Sequence, residues 1–117
     1  MRYNQREIIL VPFPYSDLSA TKRRPVLIVS NNKYNNTFDD VVVCVITSNR
    51  YQDEYSVPLE NEHLEIGVLP ERSVVKTHKL FTIEKTQILR KFSVIDTEYY
   101  NVIEAKIIEL VKNSDTI

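Results

Sequence analysis

Three short apolar runs, over residues 8–11, 25–29 and 41–46, set the terms on which this chain can fold. Each is too short for a typical helix and rich in Val and Ile, whose branched side chains suit a pleated strand. None alternates with polar residues, which implies strands covered on both faces. A chain of 117 residues makes one domain, 1–117, with few helices to spare for that covering. The runs therefore predict a mostly β (β-rich α+β) domain whose second face lies against another copy of the chain, in a homodimer. Pro12-Phe13-Pro14-Tyr15-Ser16-Asp17 is expected to break the first strand, because proline cannot donate to a ladder. Asn31-Asn32 and Asn35-Asn36 should supply turns in a chain whose only glycine is Gly67. Weaker strands are predicted over 55–59, 73–78, 79–82 and 92–95, with a short helical turn over 83–89. Tyr100, Ile103, Ile107 and Leu110 recur at helical spacing between charged residues, predicting an amphipathic helix over 97–112. Asp96 or Thr97 can cap it.

No apolar stretch approaches 18 residues, so no membrane span is expected. The first residues run into a strand without a signal-peptide core, which points to the cytoplasm. Cys44 lies in an apolar run, where a buried, inert thiol is expected. The net charge of −1 excludes a strongly electrostatic, non-specific nucleic-acid binder. Any contact with RNA or DNA must come from local clusters of cations.

Three clusters carry candidate chemistry. Lys22-Arg23-Arg24-Pro25 gathers cations where a loop enters a strand, and Pro25 biases Arg24 toward an extended conformation. A guanidinium there can fork onto phosphate oxygens, although a charge run also fits a turn that only faces water. Thr47-Ser48-Asn49-Arg50 ends an apolar run abruptly. Its hydroxyls and amide can hold a phosphate or a ribose 2′-OH, or bond their own backbone in a polar turn. In Lys76-Thr77-His78-Lys79, strand alternation puts Lys76 and His78 on one face and Thr77 and Lys79 on the other. Histidine can exchange a proton near neutral pH, so His78 is the candidate general acid or base. Lys22, Arg23, Ser48, Asn49, Lys76 and Lys79 are the candidate RNA contacts. His63 stands among acidic residues, but no second histidine or cysteine supplies metal-ligand spacing, and no metal or cofactor is expected.

These clusters fall into an ordered set of blocks. Residues 7–14, Asp17-Leu18, 22–31, 43–49, 73–75 and 81–85 together resemble the PemK/MazF family of bacterial toxins. The resemblance implies an SH3-like small antiparallel β-barrel of five to seven strands, a homodimer, and sequence-selective cleavage of single-stranded RNA without a metal. It also implies a cognate antitoxin, and promoter DNA bound jointly with that antitoxin. The arginine of the family's Arg-Pro pair maps onto Arg24, and the threonine ending its third strand onto Thr47. The family's usual glycine before the first strand is replaced by Arg6. At the positions of Lys76, His78 and Lys79 some members carry other residues. Two further readings share this barrel: a non-enzymatic toxin acting on DNA gyrase, and an inactive relative that binds nucleic acid without cutting it.

Overall fold

The computed structural model describes residues 2–13, 22–49 and 51–116. Pro14 to Asp17 of the expected first turn, and Arg50, lie outside the described residues. Seven strands, β1 (Glu7–Phe13), β2 (Lys22–Ile28), β3 (Asp40–Thr47), β4 (Ser56–Leu59), β5 (Leu64–Ile66), β6 (Ser73–Glu84) and β7 (Arg90–Ile95), form one antiparallel sheet. Its order is β4-β6-β3-β2-β1-β7-β5, and it curls into a half-barrel. Helix α1 (Asn32–Thr37) links β2 to β3, and helix α2 (Thr97–Val111) ends the fold. No described helix is long and apolar enough to cross a membrane.

One face of the sheet presents Ile8, Leu27, Cys44, Ile46, Val75 and Ile95 to Tyr100 and Ile103 of α2. The helix starts at Asp96, whose carboxylate accepts the Tyr99 N–H at 2.8 Å. That fills one of the free donors of the first turn. The Tyr100 hydroxyl donates to the Val29 carbonyl at 3.1 Å and ties the helix to the end of β2. Cys44 is fully buried, and the burial pushes its thiol up to about 12. The thiolate that reacts with electrophiles is therefore absent at neutral pH.

The second face corrects the argument for a covering subunit. Ile9, Val11, Val26, Ile28, Val41 and Val43 have no exposed surface in the single chain. They cluster with Tyr3 and Ile83, and Phe81 and Ile88 pack against them. The continuous apolar runs thus reflect a sheet curled enough to build two clusters from one chain, and they need no second copy.

Other boundaries differ from expectation. β1 runs through Pro12 to Phe13 rather than stopping at the proline. The segments expected as two strands, 73–78 and 79–82, are one strand with a shift in its pairing to β3: Cys44 faces Leu80, yet Val45 faces Lys76. The residues between, Thr77 to Lys79, bulge out of that ladder, yet Lys76 and His78 still reach one common partner, Asp53, as alternation predicts. The expected turn over 83–89 contracts to one turn of 3-10 helix, Lys85–Gln87. The asparagine-rich segment forms α1, which Asn31 caps by accepting the Tyr34 N–H at 2.8 Å.

Arg6, the residue before β1, has φ +78°, a conformation that favours glycine. Its guanidinium donates to the Ile95 carbonyl at 2.6 Å and lies 3.5 Å from Glu65. Side-chain bonding holds an arginine in a conformation that disfavours a Cβ. Arg6→Ala loses the bond and keeps the strain, whereas Arg6→Gly loses the bond and sheds the strain. Glycine should therefore be the more stable of the two by about 1 kcal/mol, read as a difference in denaturation midpoints.

Candidate functional site

Pro25 decides where β2 and β3 part. Leu10 pairs with Pro25 in the β1–β2 register. The Leu10 carbonyl instead accepts from Leu89 N at 2.9 Å, on the side away from β2. The N–H that Pro25 lacks would therefore have pointed at β3. The β2–β3 ladder accordingly stops at Val26↔Val45. Arg24 on β2 and Thr47 on β3 lie beyond this last pair, where the two strands are no longer bonded to each other.

Beyond that point the strand ends flank a cavity of about 470 Å³. Arg23 and Arg24 enter it from β2, Ser48 from the end of β3, and Arg90 from the start of β7. Leu10, Pro25 and Ile46 make its apolar floor, with Phe92 beside Arg90. The Arg90 guanidinium lies 5.9 Å from the centre of the Phe92 ring. Val68, Leu69, Pro70 and Glu71 close the opposite wall. None of the three arginines forms an ion pair with a described residue. Three arginines without an ion pair among the described residues, beside apolar side chains, make a place for an anion with an apolar body.

The Thr47 hydroxyl accepts the Asn49 N–H at 3.1 Å, and Asn49 Oδ1 accepts the Tyr51 N–H at 3.2 Å. The polar segment is thus a bonded turn. Because the Thr47 oxygen serves there as acceptor, its hydrogen remains available to donate to a ligand. Lys22, Arg23, Ser48, Asn49 and Lys79 are exposed, and Arg24 is half-buried.

Lys76 and His78 have a different setting. The Lys76 ammonium is buried and donates to the Tyr51 carbonyl (2.8 Å) and the Ser56 hydroxyl (3.0 Å), with Asp53 at 3.5 Å. It fastens the loop over residues 51–56 to β6. His78 Nε2 lies 3.8 Å from the same Asp53 carboxylate, while its Nδ1 is buried without a hydrogen-bond partner among the described residues. Neither residue lines the cavity. Partial burial pushes the Asp53 carboxyl up, but the Ser56 hydroxyl, the Tyr55 N–H and the charges of Lys76 and His78 outweigh it. They hold its pKa below the ordinary 3.8. A lowered carboxyl pKa stabilises the fold above the ordinary value, and the contribution is lost as pH falls through the lowered one. The loop should therefore loosen first in acid. Exchange of the Thr77 amide, bonded to Tyr55 O at 3.1 Å, should accelerate relative to core amides below pH 3.8, and Asp53→Asn should produce the same loosening at neutral pH.

His63 has a structural role: its Nδ1 accepts the Glu60 N–H at 3.0 Å, and its ring stacks on Tyr99 at 3.6 Å. Sequence reasoning missed Arg90, Phe92 and Glu71. The one local signal was a second basic pair, Arg90-Lys91, entering a strand as Arg23-Arg24 does.

The sequence pattern of the PemK-like, MazF-like toxins of type II toxin-antitoxin systems matches residues 4–111. No curated protein matches significantly. Among solved structures, an endoribonuclease in complex with its cognate antitoxin, from a mycobacterial species, superposes with a TM-score of 0.75 at 20% identity, covering 92% of each chain. The Mycobacterium tuberculosis toxin MazF-mt6 gives 0.72 at 22% identity, over 89% of this chain and 94% of that one. A MazE-MazF structure from Deinococcus radiodurans gives 0.78 at 16%, over 97% and 100%.

Proposed function

Since the chain belongs to the PemK-like, MazF-like toxin family of type II toxin-antitoxin systems, we propose that it is a metal-independent, sequence-selective endoribonuclease acting on single-stranded RNA. The observation that carries this reading is the convergence of Arg23, Arg24 and Arg90, none of them ion-paired with a described residue, beside the strand end that bears Thr47. A phosphodiester brings one negative charge per nucleotide and a planar apolar base, which matches the cations and the apolar floor together.

In the reaction, a ribose 2′-OH attacks its neighbouring phosphorus and the P–O5′ bond breaks. The products are a 2′,3′-cyclic phosphate and a free 5′-OH. The nucleophile is internal to the substrate, so orientation supplies much of the acceleration. Arg24 stabilises the charge that builds on the phosphorane oxygens, and Thr47 donates to the same group. His78 is the candidate for proton transfer, through Nε2, since its Nδ1 is buried. Lys76 holds the loop over residues 51–56 beside the site. The homodimer, the antitoxin, promoter DNA bound with it, and a cytoplasmic setting complete the proposal; two solved structures that share the fold are toxin–antitoxin complexes.

The test is incubation of the protein with a defined single-stranded RNA in excess chelator, with the cut sites and end groups mapped. Discrete cuts leaving a cyclic phosphate and a 5′-OH are expected, and deoxyribose at the cut position should abolish the cut there. Intact RNA under these conditions, or cuts leaving a 5′-phosphate, would reject the reading.

A further inference from the structure

We propose that the cavity between β2, β7 and the segment over residues 67–71 is a subsite for one nucleotide next to the cleaved phosphate, and that Glu71 selects a base with an exocyclic amine. This rests on the ribonuclease reading above, and it extends that reading to residues which carry no part of the bond-breaking step. Arg24 lines the cavity, so whatever fills it adjoins the phosphate assigned to Arg24 in that reading. The volume, about 470 Å³, lies within the range of sites that enclose small molecules.

The lining divides by chemistry. Arg23 and Arg90 supply charge for a second phosphate. Phe92, with the Arg90 guanidinium 5.9 Å from its ring centre, is a stacking platform, since aromatic rings and guanidinium planes both accept a base face. Among the described residues Glu71 is the one acid in the lining, and it is exposed and without an ion pair to a described residue. Glu71 shares this lining with three arginines and forms an ion pair with no described residue, so charge balance does not account for it. It is well explained as an acceptor for a hydrogen-bond donor on the ligand. The amine of cytosine or adenine provides that donor, whereas uracil presents a carbonyl oxygen there and is repelled. An acidic peptide would satisfy the arginines but brings no base to stack on Phe92 or to donate to Glu71, so the nucleotide is favoured.

The test measures binding rather than cleavage. Labelled 2′-O-methyl pentamers of cytidine, adenosine and uridine, which cannot be cut by 2′-OH attack, are titrated by fluorescence anisotropy at fixed ionic strength. The parent should bind the cytidine or adenosine pentamer about tenfold more tightly than the uridine pentamer. Glu71→Gln, an exposed and nearly isosteric change, should erase that preference because an amide can also donate to a carbonyl. Phe92→Leu should weaken all three by about tenfold and keep the preference. Equal binding of the three pentamers by the parent, no binding at all, or a preference that Glu71→Gln leaves in place would each overturn the subsite. A preference of this kind stands even where RNA is not cut, and cleavage without it removes only the subsite, so the two readings fail separately.

Discussion

Arg24→Ala should lower the rate of RNA cleavage by about 10²–10³-fold while leaving the fold in place. The size follows from the setting. A half-buried guanidinium at the lip of a cavity with an apolar floor acts where water screens less than at an open surface. Removing one preorganised donor from a site where charge builds in the transition state costs a factor of this order. The fold survives because Arg24 contributes backbone to the β1–β2 pairing, opposite Val11, while its side chain forms no ion pair with a described residue. The denaturation midpoint should therefore move by no more than about 0.5 kcal/mol, as for a surface change away from structural features. Arg24→Lys separates charge from shape: the ammonium keeps the charge and loses the paired fork, so it should recover only part of the rate. Thr47→Val is a milder change, since it removes one donor and keeps the branched shape at a strand end. The assignment fails if Arg24→Ala cleaves as fast as the parent at equal folded concentration.

What could be read in advance divides by how local its cause is. Helix α2 was legible because its period, its apolar positions and its cap at Asp96 all lie within one stretch of chain. Strand β2 and the position of Arg24 were legible for the same reason, since Pro25 acts on the residue before it. Strand β6 was not, because its bulge between Lys76 and Leu80 is set by the register of β3 across from it. The pairing of Lys76 and His78 on one side survived the bulge, since both reach Asp53. The burial of Lys76 depends on Tyr51 and Ser56, which a different loop delivers. The apolar runs were read correctly as strands, but the second cluster that covers them comes from Tyr3, Ile83 and Ile88, far apart in sequence. Arg90, Phe92 and Glu71 reach the cavity through the pairing of β1 with β7 and of β7 with β5. No short motif records such a meeting.

Gly67→Ala should cost about 2–4 kcal/mol of stability, the range of severe packing and backbone defects. Two effects act together at this residue. Its φ is +89°, where a Cβ is disfavoured whatever the space around it. A Cβ built there would also lie 2.4 Å from the Phe92 carbonyl oxygen and 2.8 Å from Ser93 Cβ. Both neighbours belong to β7, so the clash is with a strand held on its other side by β1, and no flexible side chain can swing aside. The least costly relief is to lift the segment after β5 away from β7. That weakens the pairing of Leu64 with Ile95 and of Ile66 with Val94, and it displaces Val68, Leu69, Pro70 and Glu71 from the cavity wall. Thermal unfolding should fall by about 10 °C for a domain of this size, and cleavage should drop even well below the transition. Gly67→Asn distinguishes the two causes. Asparagine tolerates positive φ better than alanine does but carries the same Cβ. If the contact with β7 dominates, Gly67→Asn is no more stable than Gly67→Ala. Recovery of most of the loss by asparagine would show that conformation alone set the cost, and that β7 can yield to a methyl group.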